Sequence, residues 1–285
     1  MHTQIEPGAL YLVATPIGNL EDITYRAVRI LREADLILAE DTRTSGVLLA
    51  HYQIGTPTTA YHEHNKRKRI PSLVDRLHRG QTLALISDAG TPGISDPGEE
   101  LVEACCREQI PGYAVPGAVA AVCAITTSGL SSRRFAFEAF LPKKKKKRQQ
   151  VISELARESR TIVLYEAPHH LVATLRELSS ALGPRRITLG RELTKRFEEK
   201  WQTSFEEALA AFEEKEPRGE YVVVIEGRTE DTVQLTNSDK WNEITIEELM
   251  KIFLERGLER GEAMKAVAEL KGVRKRDIYE ALNKR

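Results

Sequence analysis

The residues best suited to shaping a ligand site are Ser87-Asp88-Ala89-Gly90-Thr91-Pro92-Gly93-Ile94-Ser95-Asp96-Pro97-Gly98, a stretch with three glycines, two prolines and two aspartates. Glycine supplies positive φ and close backbone approach while proline fixes φ, so such a loop holds one unusual shape. It follows the apolar run Leu83-Ala84-Leu85-Ile86 and precedes a helical pattern from Glu99 to Arg107. That context is the carboxyl end of a strand, where open α/β sheets bind ligands. Taken alone, the loop reads equally well as a tight surface connection. Three more Gly/Pro loops follow expected strands, at 15–22, 116–118 and 166–168. The first, Thr15-Pro16-Ile17-Gly18-Asn19-Leu20, has neither the Gly-Lys-Ser/Thr of a P-loop nor the Gly-x-Gly-x-x-Gly of a dinucleotide site. Several such loops at strand ends can line one cleft for a compact, non-phosphorylated cofactor.

Other polar clusters carry weaker signals. His62 and His64 flank Glu63, but two histidines at i, i+2 with no further ligand spacing do not make a metal site, and none is expected. Lys143, Lys144, Lys145, Lys146, Lys147 and Arg148 form the densest charge run. Such a run is ordinarily a solvated loop, yet its cations can also engage several phosphates and make binding salt-dependent. From Lys271 onward six Lys/Arg, Arg274, Lys275 and Arg276 among them, stand against Asp277 and Glu280. A solvated helical end explains that excess as well as nucleic acid does.

The elements that position these residues follow from length and periodicity. The 285 residues suffice for two domains and a small appendage, and 42 basic against 42 acidic residues leave no net charge, so any nucleic-acid surface must be a local patch. Cys105, Cys106 and Cys123 have no Cys-x-x-Cys spacing, which suits a reducing cytoplasm. Neither a signal-like amino terminus nor a run of about 18 apolar residues is visible, so a cytosolic protein without membrane contact is expected.

Ala9–Ala14 reads as a buried strand, and Ile23, Ala27, Ile30, Leu31 and Ala34 as a helix with Asp22 at its N-cap. Strand 36–39, helices near 45–51 and 70–78, strand 83–86, helix 99–107 and strand 112–115 continue an alternation that predicts a mostly parallel sheet. The first domain therefore spans 1–115. A second α/β domain, 116–228, begins with a small-residue helix after Pro116-Gly117 and continues through strand 134–140, helix 149–157, strand 161–165, helix 169–182 and strand 186–190. Strand 199–203, helix 205–214 and strand 221–225 complete it, with more antiparallel character expected. Residues 229–242 are polar and non-periodic, a linker. Three short helices follow in 243–285, with apolar faces Ile246-Leu249-Met250-Phe253, Ala263-Val267-Ala268-Leu270 and Ile278-Tyr279-Leu282, the last two joined at Lys271-Gly272-Val273 in a helix-turn-helix layout.

Read together, Thr15-Pro16-Ile17-Gly18-Asn19-Leu20-Glu21-Asp22-Ile23, Ala39-Glu40-Asp41-Thr42-Arg43, His62-Glu63-His64-Asn65, Ser87-Asp88-Ala89-Gly90-Thr91-Pro92, Arg191-Glu192-Leu193-Thr194-Lys195 and Gly219-Glu220 closely resemble the bacterial 16S ribosomal RNA cytidine 2′-O-methyltransferases. These are class III S-adenosyl-L-methionine-dependent enzymes of the tetrapyrrole methylase superfamily, and the resemblance covers essentially the whole chain. It implies two α/β domains with the cofactor folded in the cleft between them, a homodimer, and 16S ribosomal RNA or the 30S subunit as partner. The superfamily's cofactor positions fall at Pro16 and Gly18 in the first loop, at Asp88, Ala89, Gly90, Thr91 and Ile94 in the second, at Val119 and Ala120 after the Pro-Gly turn, and at Tyr165 and Glu166. Many tetrapyrrole methylases carry Gly-Asp-Pro where this chain has Gly90-Thr91-Pro92, so no carboxylate is available there.

The implied reaction is attack of a ribose 2′-hydroxyl on the sulfonium methyl. Alignment alone can lower such a barrier by roughly 7 to 11 kcal/mol. Because the hydroxyl is a poor nucleophile, a general base or a cation beside the alkoxide helps. Candidates are Glu40, Asp41 and Arg43 at a strand end, His64 with Asn65, and Glu192 with Lys195, although Asp41 and Arg43 can equally pair with one another. Beside such a cleft, the run Lys143–Arg148 is expected to contact RNA. Two other functions fit parts of the sequence. One is a small-molecule methylase acting on a tetrapyrrole, and the other a non-enzymatic regulator binding nucleic acid through its C-terminal helices.

Overall fold

The computed structural model describes residues 4–94, 96–229, 245–255, 259–271 and 273–283. Outside the described residues lie Ser95 of the Gly/Pro loop, the expected linker after Thr229, the first two residues of the expected helical segment, and Gly272 of the turn.

The first half builds one parallel sheet from β1 (Leu10–Val13), β2 (Leu36–Ala39), β3 (Thr58–Ala60), β4 (Leu83–Ile86) and β5 (Gly112–Val115), in the order β3-β2-β4-β1-β5. Side chains alternate across a strand, and the alternation divides two cores. Tyr11, Val13, Ile37, Ala39, Ala84 and Ile86 pack beneath α1 (Tyr25–Glu33) and α2 (Thr42–His51). Leu10, Leu36, Leu38, Leu83 and Leu85 face α3 (Lys66–His78) and α4 (Gly98–Arg107). With both faces covered, the inner strands β1, β2 and β4 read as unbroken apolar runs.

The second half builds a mixed sheet from β6 (Phe135–Ala139), β7 (Thr161–Glu166), β8 (Arg186–Arg191), β9 (Glu199–Ser204) and β10 (Tyr221–Ile225), in the order β6-β7-β10-β8-β9. Of these pairings β6–β7 is parallel and the others are antiparallel. Ile162, Leu164, Val223 and Ile225 pack under α6 (Lys145–Leu155), α7 (Pro168–Leu182) and α8 (Phe205–Glu214). The opposite face, with Val163, Val222 and Val224, receives α5 (Ala120–Thr127) together with Ile17 from the first half. Beyond Thr245, helices α9 (Ile246–Glu255), α10 (Arg260–Leu270) and α11 (Lys275–Asn283) bury Leu249, Met250, Ala263, Val267 and Ile278 against one another.

Four details differ from the sequence expectation. Helix α1 is capped by Thr24, whose side chain accepts from the Ala27 amide at 3.1 Å, while Asp22 closes a short 3-10 turn capped by Asn19. β3 gives no sequence signal because Thr58-Thr59-Ala60 has no apolar run. Helix α6 starts at Lys145, so most of the basic run is its first turn rather than a loop. Tyr279 is 58% exposed and turns away from the C-terminal core.

Arg185 is the least sequence-legible support of the second sheet. It is 4% exposed and donates to the carbonyls of Ala156 at 2.7 Å and Leu182 and Glu226 at 3.3 Å, gathering the ends of α6, α7 and β10. Burial depresses its pKa below the usual guanidinium range. Arg185→Met keeps the volume but strands these buried acceptors. It is expected to lower unfolding free energy by about 2–3 kcal/mol in urea titration, and a change below about 0.5 kcal/mol would show the carbonyls to be satisfied otherwise.

Candidate active site between the two sheets

The loops after β1, β4 and β5 emerge side by side because β1 lies between β4 and β5. Thr15 and Gly90 exchange two backbone hydrogen bonds, Thr15 N to Gly90 O at 2.9 Å and Gly90 N to Thr15 O at 3.1 Å. The Thr91 hydroxyl donates to the Ala118 carbonyl at 3.2 Å, which ties in the third loop. Asp96 accepts from the Gly93 and Gly98 amides at 2.8 and 2.7 Å and folds the second loop back on itself. Between these loops and the second sheet lies a cavity of about 330 Å³.

Of the sequence-derived cofactor residues, Asp88, Ala89, Gly90, Thr91, Ile94, Val119, Ala120, Tyr165 and Glu166 line this cavity. Pro16 and Gly18 do not. Ile17 between them faces it, because the Thr15–Gly90 pairing sets the direction of the loop. Gly18 instead lies against the second half, where an added Cβ would fall 2.3 Å from Lys195 Cγ. Tyr165 is fixed by its hydroxyl, which accepts from the Ala121 amide at the start of α5 at 3.1 Å, and burial pushes its pKa up. Glu166 accepts from Thr174 Oγ1 at 2.6 Å and from the Ala167 amide at 3.0 Å, so its carboxylate organises the start of α7.

The candidate catalytic groups separate in the same way. Glu40 lines the cavity, and burial raises its pKa, helped by the nearby charges of Asp88, Asp96 and Glu63. Asp41 and Arg43 lie outside the lining. They pair at 3.1 Å, Asp41 caps α2 through the Arg43 amide at 2.8 Å, and this bonding holds Asp41 below the usual carboxylate range. His64 and Asn65 are also outside it; Asn65 fastens the turn before α3 through the His62 amide and the Ala60 carbonyl. Glu192 and Lys195 both line the cavity. Lys195 bridges Glu192 at 2.9 Å and Glu220 at 2.8 Å, while Glu192 also accepts from the Glu220 amide at 2.9 Å. That backbone bond and the Lys195 contact lower the Glu192 pKa. Burial pulls Lys195 the other way, but its two carboxylate partners keep it above the usual lysine range.

Residues of the lining to which the sequence assigned no site role include Asp96, Phe140, Leu193, Glu220, Tyr221 and Val222. The pair Gly219-Glu220 did stand among the recognisable motifs, and the Gly219 Cα approaches Glu192 so closely that an added Cβ would lie 2.5 Å from its Cγ. Lys143–Lys147 are exposed at the start of α6, whereas Arg148 bonds Glu177 at 2.6 Å and Thr174 at 2.7 Å. Arg274, just before α11, pairs with Asp277, and Arg276 on the helix pairs with Glu280, beside exposed Lys275. Among the described residues no group of three or more His, Cys, Asp or Glu could hold a metal ion, and no helix is long and apolar enough to cross a membrane.

Gly90 is the residue on which the loops converge. Its φ is +82°, and a Cβ there would meet Ile17 Cγ2 at 3.2 Å and Ala118 O at 3.4 Å. Gly90→Ala is expected to cost about 1–2 kcal/mol from the left-handed backbone alone, measured by thermal unfolding against wild type; an unchanged midpoint would mean that the three loops are not locked together.

Residues 9–209 match the family described as Tetrapyrrole (Corrin/Porphyrin) Methylases. Over 274 residues the chain is 47% identical to the ribosomal RNA small subunit methyltransferase I of Synechocystis sp., covering 96% of each chain. It is 44% identical to the protein of the same name from Halalkalibacterium halodurans, covering 96% of this chain and 94% of that one. Among solved structures, the methyltransferase CobJ superposes with a TM-score of 0.60 at 17% identity, covering 77% of this chain and 94% of that one. The uroporphyrin-III C-methyltransferase of Thermus thermophilus complexed with S-adenyl homocysteine superposes with a TM-score of 0.56 at 22% identity, covering 80% and 99%. At those identities the likeness is one of fold, two α/β halves around a shared cleft. The family match over residues 9–209 and the identity to these relatives along nearly their whole length place the chain in the tetrapyrrole methylase family, to which it belongs alongside the ribosomal RNA small subunit methyltransferase I proteins.

Proposed function

We propose that the chain transfers a methyl group from S-adenosylmethionine to the ribose 2′-hydroxyl of a cytidine in 16S ribosomal RNA, as a cytoplasmic homodimer. The observation that carries the reading is the character of the cavity. Among the described residues its lining has six carboxylates, Glu40, Asp88, Asp96, Glu166, Glu192 and Glu220, against the single lysine Lys195, with apolar walls from Ile17, Ile94, Leu193 and Val222. Such a lining repels a pyrophosphate and suits a neutral nucleoside joined to a cationic sulfur. When bound, the cofactor supplies a methyl group on a positively charged sulfur. Ala89, Gly90, Thr91, Ile94, Val119, Ala120 and Tyr165 are the residues that would hold it, through backbone groups and apolar contact.

The chain's own groups do the rest. Glu40 is the proton acceptor for the ribose hydroxyl, at a carboxylate oxygen that burial has made more basic. Asp41, neutralised by Arg43, serves as a helix cap. Lys195, held by two carboxylates that neutralise its charge, closes one side of the cavity. Support for RNA as substrate comes from the relatives' names and from the exposed lysines at the start of α6, which sit at the positive end of the helix dipole, where like charge is unfavourable for the fold and favourable for phosphate.

The decisive assay is transfer of tritiated methyl to ribosomal RNA: label recovered as 2′-O-methylcytidine is the expected outcome, and label on a base rejects the assignment. Glu40→Gln is expected to lower kcat by roughly 10²–10⁴-fold. Because the Glu40 pKa is raised, wild-type activity is expected to fall as pH drops through that raised value, an acidic limb that Glu40→Gln abolishes. Retained kcat would remove Glu40 from the proton transfer. Replacing Lys143–Lys147 with Ala should weaken RNA binding and flatten its salt dependence, the slope falling by roughly 0.7 for each phosphate that the variant no longer neutralises. An unchanged slope would dismiss the patch.

A further inference from the structure

Phe140 is a large apolar side chain left 56% exposed, yet it lines the cavity. Strand alternation does not put it there. The β6–β7 register shifts between Phe137 and Ala139, and Ala139 takes a left-handed φ of +55°. That bulge re-aims the chain. It holds Phe140 out at the rim, while Leu141, the next residue, is buried in the core under α6 and α7. The ring is backed from inside: its centroid lies 5.6 Å from that of Tyr165 at an interplanar angle of 60°, and Tyr165 in turn meets Phe137 at 5.0 Å. Three residues further along begins the basic run, in which Lys143–Lys147 are exposed and, among the described residues, only Arg148 is ion-paired.

A strained backbone that presents an aromatic ring to water, backed by a second ring and followed directly by exposed cations, has the composition of a single-strand nucleic-acid platform. In such platforms the ring stacks one base and the cations track its phosphates. Resting on the functional reading above, we propose that Phe140 is the stacking platform for the base of the nucleotide to be methylated. The stack holds that base at the rim, with its ribose toward the cavity that contains Glu40 and its phosphates toward Lys143–Lys147.

The test compares wild type with Phe140→Ala, Phe140→Leu and Phe140→Trp, using unmethylated 30S subunits as substrate. Cofactor affinity is read by calorimetry and self-association by sedimentation. The expected result is a fall in kcat/KM for 30S of about tenfold or more in the Ala and Leu variants, with the Trp variant within about threefold of wild type and S-adenosylmethionine affinity unchanged in all. The Leu variant is the discriminating one, because it keeps an apolar side chain of similar size and removes the π face. Four results would overturn the stacking assignment: kcat/KM retained in the Ala variant, a Leu variant as active as wild type, weakened S-adenosylmethionine affinity, which would give the ring to the cofactor, or altered self-association, which would give it to a second copy of the chain. A wild-type protein that methylates no ribosomal RNA would instead overturn the functional reading, and the platform with it, so the two failures are told apart by the wild-type lane alone.

Discussion

The pair of backbone hydrogen bonds between Thr15 and Gly90 is the constraint from which the cavity follows. It joins the loops after β1 and β4 at the carboxyl end of the first sheet, and the positive φ of Gly90 lets the second loop turn under the first without a side chain in the way. With Thr91 bonded to Ala118, the loop after β5 is fixed as well. The consequence reaches across the molecule. The direction of the first loop sends Ile17 into the cluster of Ala121, Val163, Leu193 and Val222 beneath the second sheet. The two halves are thus aligned by the same contact that shapes the cavity, and neither half alone supplies a complete wall.

Charge is arranged around that cavity in a way the composition conceals. The chain as a whole is neutral, but carboxylates gather at the cavity and lysines at the start of α6. Each arrangement has a cost for the fold. Burial and neighbouring carboxylates raise the Glu40 pKa, and lysines at a helix amino terminus oppose the dipole. Helix α6 is held nonetheless by the burial of Ile152 and Leu155 and by Arg148, which binds Glu177 and Thr174 of α7. Packing at one end of the helix carries the electrostatic disadvantage at the other, so the lysines remain exposed.

Much of this was legible in the sequence where local rules govern. The buried strands of the first half are apolar runs, and the Gly/Pro loops declare their unusual backbone by composition. What escaped depends on contacts between distant segments. Pro16 and Gly18 are the conspicuous residues of the first loop, yet Ile17 faces the cavity because the pairing of Thr15 with Gly90, 75 residues away, decides the orientation. Phe140 lies beyond reach of a period-two pattern because the bulge at Ala139 breaks the alternation. A buried Arg185 is unreadable until the carbonyls of α6, α7 and β10 converge on it. Asp41 and Arg43 show the converse: a motif that looks chemical is occupied, in the fold, with capping and pairing.

The backbone itself divides the work between the halves. Among the described residues five that are not glycine have positive φ, and two of them, Gln53 and Gln109, simply follow the ends of α2 and α4, where a left-handed residue ends many helices. The other three, Ala139, Glu192 and Thr194, stand beside or in the part of the cavity wall contributed by the second half. In the first half the comparable turns use Gly90 and Gly93, which adopt such angles freely. Glycine gives shape but no functional group. Where the wall must also present a carboxylate, a lysine or a ring, as at Glu192, Lys195 and Phe140, the chain accepts roughly 1–3 kcal/mol of strain per residue. Side-chain contacts hold that strain in place: Glu192 bonds Lys195 and the Glu220 amide, and the ring of Phe140, next to Ala139, rests against Tyr165. The first half therefore fixes the form of the cavity and lends it the carboxylates of Glu40, Asp88 and Asp96, while the second adds those of Glu166, Glu192 and Glu220, the amine of Lys195 and the rings of Phe140 and Tyr165.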